Sequence, residues 1–145
     1  MFEKIVVALD GSEPSENALG AACGIAEKFG SELYLVHAPQ IETTAIAVGS
    51  GAVEINPDPQ AVAAAGEKVM GHARETAAAL GCTPAGCFVG KGEPADEIIR
   101  HARDVGADLI VMGRRGLGGI AGLFLGSVSQ KVSHGAGCTC LTVHH

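Results

Sequence analysis

No run of basic residues occurs in this 145-residue chain beyond the pair Arg114-Arg115, and 10 Lys and Arg against 16 Asp and Glu leave a net charge of −6. The electrostatic footprint that nucleic acid requires is therefore missing. The apolar stretches are too short to cross a bilayer, which speaks against a membrane-embedded protein. Met1 to Leu9 does not read as a secretory leader, because it holds Glu3 and Lys4 and ends at Asp10, so the expected location is the cytoplasm. The five cysteines (23, 82, 87, 138 and 140) are odd in number and form no CxxC pair, which removes both a disulfide framework and a common zinc spacing. Cys138 and Cys140, two apart in a strand, read as small buried hydrophobes on one face. The GxxxxGK[ST] signature of the usual nucleoside triphosphatases is absent as well.

What is present is an alternation of strand and helix signals over one domain, residues 1–145. A chain of this length buries roughly two thirds of its unfolded surface. Lys4 to Leu9 is a continuous apolar run rich in β-branched residues, as in a parallel strand covered on both faces. Ser12 then fits a helix N-cap, with Pro14 in the first turn and Gly30 at the end. Glu32 to Ala38, Asp108 to Met112 and Thr139 to Val143 read as further strands, and Gly86 to Val89 as a weaker one. Helices are expected over about Pro59 to Leu80 and over Pro94 to Val105, the second stopped by Gly106. Pro39 to Pro57 shows no clear period and is expected to be a long loop. The alternation implies an α/β fold, a doubly wound parallel sheet with right-handed crossovers.

The densest signal lies behind the strand Asp108 to Met112. Gly113-Arg114-Arg115-Gly116, followed by Gly126-Ser127 and an apolar-periodic segment from Val128 to Ala136, reads as a phosphate cradle between strand and helix. Gly113 and Gly116 are open to positive φ and let backbone N–H groups approach an anion. Ser127 is expected as N-cap or first helical residue, at the positive end of a helix dipole. Arg114 and Arg115 either pair with phosphate oxygens or remain solvated or in contact with a partner subunit. Asp10 ends the first strand on the same carboxyl edge. It fits an acceptor for a ribose hydroxyl or a hydrated cation, and equally an Asx-turn carboxylate. His37 reads as a packed histidine without chemistry.

Together, the strand ending in Asp10-Gly11-Ser12, the strand Leu33 to His37, the strand Asp108 to Gly113 and the spacing G-x2-G-x9-G-[S/T] at Gly113, Gly116, Gly126 and Ser127 resemble the ATP-binding branch of the universal stress protein family. The likeness covers essentially the whole chain. It implies a five-stranded sheet of order 3-2-1-4-5, like that of the adenine nucleotide alpha-hydrolase-like folds. It also implies nucleotide contacts at Ala8, Leu9, Asp10, Ala38, Met112, Gly113, Arg115, Gly116, Gly126, Ser127, Val128 and Ser129. The implied ligands are ATP (or ADP or AMP) with Mg2+ near Asp10, and the implied assembly is a homodimer through Thr139 to Val143.

Neither the Ser-Gly-Gly-x-Asp-Ser loop of ATP pyrophosphatases nor the His-x-Gly-His of nucleotidylyl transferases is present. The expected role is thus a non-catalytic, ATP-sensing regulatory module acting on a protein partner. Slow Mg2+-dependent hydrolysis and a nucleotide held only as structural filler stand as alternatives.

Overall fold

The computed structural model describes residues 1–41, 44–116, 122 and 124–144. In chain order its elements are β1 (Lys4–Leu9), α1 (Glu13–Phe29), β2 (Glu32–His37), β3 (Thr44–Val48), β4 (Gly51–Ile55), α2 (Pro59–Ala79), β5 (Gly86–Val89), α3 (Pro94–Val105), β6 (Leu109–Gly113), α4 (Ser127–Gly135) and β7 (Thr139–Val143). Five strands make one sheet in the order β5-β2-β1-β6-β7, and every pairing in it is parallel. Counted by the strands of that sheet alone, this is the 3-2-1-4-5 order.

β1 takes the centre because it is apolar on both faces, with five of its six residues buried. Ile5, Val7 and Leu9 point to one side, where they pack with Leu19, Ala22 and Cys23 of α1 and Met70 and Ala73 of α2. Val6 and Ala8 point to the other, against Ala95 and Ile98 of α3 and Val132 of α4. The alternation of a single strand thus divides the core into two layers. The start of β1 is fastened to the start of β6 by Asp108, whose carboxylate accepts from the backbone N–H groups of Glu3 (2.8 Å) and Lys4 (3.1 Å). These two donors hold its pKa below the ordinary value.

Helix ends follow local chemistry. Ser12 caps α1 by accepting from Ser15 N–H, Glu13 and Glu16 lie in the first turn, and Gly30 closes the helix at φ 69°. α3 is capped by the Glu93 side chain and closed by Gly106 at φ 71°. Its bounds, Pro94–Val105, are those expected from sequence.

The segment Pro39 to Pro57 departs from the expected loop, since residues 44–55 form an antiparallel hairpin. Gly49, at φ 62°, takes the first position of the two-residue turn between Val48 and Gly51, which suits the twist of a tight hairpin. Ile46 pairs with Val53. Ile46, Val48, Val53 and Ile55 stand on one face, all about half exposed. Glu42 and Thr43 of that segment, and His145, lie outside the described residues.

Candidate functional site

Because β1 and β6 are neighbours, their carboxyl ends bring Asp10 and the loop after Gly113 together. In an open parallel sheet this is the switch point, where crevices form. The two oxygens of Asp10 do different things. Oδ1 accepts from the Ser12 N–H at 2.9 Å and from the Ser12 hydroxyl, while the Asp10 N–H donates to Ser15 Oγ at 3.4 Å. Oδ2 faces Gly116, in the space that a Cβ there would occupy. The Asx-turn reading and the edge-facing reading of Asp10 therefore hold at once.

Gly113, Gly116 and Gly126 differ in what they are for. None lies in the left-handed region, where the glycines are Gly11, Gly30, Gly49, Gly81, Gly106 and Gly122 among the described residues. The expected need for positive φ at Gly113 and Gly116 is thus replaced by a need for space. A Cβ on Gly113 would lie 2.8 Å from Pro14 Cβ and 2.9 Å from the Pro14 carbonyl carbon, so this glycine lets α1 pack on β6. A Cβ on Gly126 would lie 3.3 Å from Arg115 Cα.

Gly126 is itself the N-cap of α4, with φ −70° and ψ 163°, and Ser127 is the first helical residue. The Gly126 N–H donates to the Arg114 carbonyl at 2.8 Å. The buried Ser129 hydroxyl is directed at that same carbonyl (2.8 Å) and at the Gly126 carbonyl (3.0 Å). Among the described residues no side chain caps α4, whereas side chains of Ser12, Asp58 and Glu93 cap the other three helices. The first-turn N–H groups of α4 lie at the positive end of its dipole.

The remaining nominated residues share this edge but face different ways. Ala8 and Met112 are buried in the layer of α3 and α4, where Val128 packs against them as a half-buried neighbour. The Leu9 side chain belongs to the opposite layer. Its carbonyl is joined at 2.6 Å to Nδ1 of the buried His37. Ala38, 8% exposed, follows His37 directly. His37 is thus a packed, hydrogen-bonded histidine that ties the ends of β1 and β2.

Arg115 has its backbone beside Gly126, the N-cap of α4. With Glu13, Pro14, Asn17, Arg114 and His144 it lines a cleft of about 300 Å³ beside the start of α1. Arg114 also stands over the Phe124 ring at 5.2 Å. Glu13, Asn17 and His144 had no motif to announce them. They come from the start of α1 and from the residue after β7, and meet through the β6–β7 pairing and the packing of α1.

A larger apolar cavity, about 370 Å³, opens between α1 and α2, with the Glu16–His72 pair (3.0 Å) among its lining residues. It shares no residue with the loop after β6. Among the described residues no three His, Cys, Asp or Glu side chains gather as a metal site, and no helix is long and apolar enough to cross a membrane.

A family model described as "Universal stress protein family" matches residues 1–144. The chain is 39% identical over 148 residues to universal stress protein YxiE of Bacillus subtilis, covering 99% of each. A crystal structure of a universal stress protein in complex with cAMP is 29% identical, with a TM-score of 0.71 over 99% of this chain and 97% of that one. A universal stress protein of Archaeoglobus fulgidus in complex with dAMP has a TM-score of 0.69 at 24% identity over 97% and 96% of the two chains, a likeness of fold.

Proposed function

The chain belongs to the universal stress protein family, and on that footing we propose that it binds ATP at the carboxyl edge of its sheet and serves as a cytoplasmic, nucleotide-sensing regulatory module. The observation that carries this reading is Asp10 facing Gly116 beside the uncapped start of α4. Phosphates suit the first-turn N–H groups of Ser127, Val128 and Ser129, and Gly116 and Gly126 let Asp10 and the Arg115 backbone pack close beside them. Ala38 would meet the base with its backbone, Ala8 and Leu9 would lie beside Asp10 along the strand end, and Asp10 would accept from a ribose hydroxyl. A single carboxylate beside a phosphate site also fits Mg2+, which keeps several waters and takes its other ligands from the nucleotide. Arg115, whose backbone lies beside Gly126, would bring a cation next to the phosphates.

Chemistry beyond slow hydrolysis is not supported, because efficient phosphoryl transfer requires charge neutralisation at the γ-phosphate by a positioned cation and the chain lacks the usual P-loop lysine. The module would signal by changing its contacts with a protein partner or with a second copy paired along β7, an edge strand on which Leu141 is 37% exposed. A second reading, an adenosine monophosphate in place of ATP, is favoured by the relative that was crystallised with cAMP.

The test is to denature freshly purified protein, identify any released nucleotide by chromatography, and titrate the stripped protein calorimetrically with ATP and Mg2+, AMP and cAMP. Stoichiometric ATP or micromolar binding supports the first reading. Preference for a monophosphate selects the second, and no binding of any of them refutes both.

A further inference from the structure

Two thiols meet in the layer between the sheet and the α1–α2 face, and neither belongs to the carboxyl edge. Cys23, on α1, is 3% exposed within the hydrophobic cluster of that layer. Cys82 follows α2 just after the left-handed Gly81, half-buried and packed against the same cluster. The Cys82 Sγ–H donates to the Cys23 carbonyl oxygen at 3.7 Å. Burial foremost, and then this neighbour, push Cys23 up to about 12, so it rests as a thiol. Both cysteines are free in this structure.

We infer that Cys23 and Cys82 are a peroxide-driven disulfide pair, which on oxidation fastens α1 to the end of α2. Cys82 is the more exposed and reacts first. Its thiolate sulfur attacks one oxygen of a hydroperoxide, the O–O bond breaks, and the departing hydroxide recovers the proton that Cys82 released, giving water and a sulfenic acid. The Cys23 sulfur then attacks the Cys82 sulfur, the S–O bond breaks, and the Cys23 proton leaves with that hydroxide as a second water. Two thiols lose two electrons and two protons, and one hydrogen peroxide becomes two waters. The apolar surroundings of Cys23 shield the sulfenic acid from a second oxidant while its partner is in contact. The bond would close the chain from residue 23 to residue 82 and restrict the unfolded ensemble.

Reduced protein is treated with a few equivalents of hydrogen peroxide, its remaining thiols are blocked in denaturant, and it is digested with trypsin without reduction. The expected result is a link between peptides 5–28 and 75–91, two of five thiols lost, and a thermal midpoint raised on the order of 10 °C and restored by dithiothreitol. Peptide 75–91 also carries Cys87, which accepts from Arg74 Nε at 3.4 Å, so the link must persist in C87S and vanish in C82S. Five thiols remaining after peroxide, sulfinic acid at Cys82 without a link, or a link that survives C82S each overturn the proposal.

Discussion

Asp10 Oδ2 fills the space that a side chain on Gly116 would need, so the end of β1 and the loop after β6 touch where a hydrogen is the largest group that fits. Gly113, three residues earlier in the same motif, has another neighbour, Pro14 of α1. The two glycines should therefore fail differently.

G116A is expected to weaken nucleotide binding at least about tenfold, or about 1.4 kcal/mol, with little change in thermal midpoint, because the Asp10 side chain can swing aside only by leaving its position toward the edge. G113A presses a Cβ on the Pro14 backbone and is expected to cost about 1–3 kcal/mol of stability. Calorimetric titration and thermal melts of both variants separate the two effects. Equal losses of stability would contradict this division of labour.

D10N retains an acceptor for Ser12 N–H and Ser12 Oγ at the turn, so its stability should stay within about 1 kcal/mol of the parent. The oxygen facing Gly116 becomes an amide donor. ATP affinity should fall and its Mg2+ dependence should disappear, which titration with and without the metal will read.

Asp108 sets an acid limit. Its carboxylate is held below the ordinary 3.8 by the Glu3 and Lys4 N–H groups, so the folded chain releases this proton at lower pH than the unfolded chain. The stabilisation is complete above about pH 4 and is lost as pH falls through the folded value. In melts between pH 7 and pH 2.5, D108N should be less stable than the parent at the upper end, and the gap should close below pH 4. A gap that grows on acidification would reverse the assigned sign.

The hairpin carries little of the fold, since Ile46, Val48, Val53 and Ile55 are about half exposed. Replacing Ile46 and Val53 together by Thr should move stability by no more than about 0.5 kcal/mol. Denaturant melts will check this, and a larger loss would mean that this face is covered in solution.

The five strands of the sheet and the four helices were legible because their signals are local. β1 and β6 are unbroken apolar runs, and Ser12, Gly30 and Gly106 punctuate the helices where capping chemistry predicts. The hairpin was missed because its alternation of Ile46 and Val48 against Val53 and Ile55 is short and sits among Pro, Gly and Ser. Gly49-Ser50 was the available signal. At the candidate site the glycine spacing was legible but the reason for each glycine was not, since the contacts of Gly113 with Pro14 and of Gly116 with Asp10 span about a hundred residues of chain. The cleft of Arg115 with Glu13, Asn17 and His144 was beyond sequence reasoning for the same cause.

The central place of β1 sets a timetable for synthesis. One neighbour, β2, follows it within a few dozen residues, but the other pairs Ile5 with Leu109. At about 5–20 residues per second on the ribosome, the first strand waits some seconds with one edge unsatisfied. Contacts so distant along the chain form slowly. The crevice at Asp10 cannot form until the loop after β6 has emerged, so the proposed nucleotide would meet its cradle only late in synthesis.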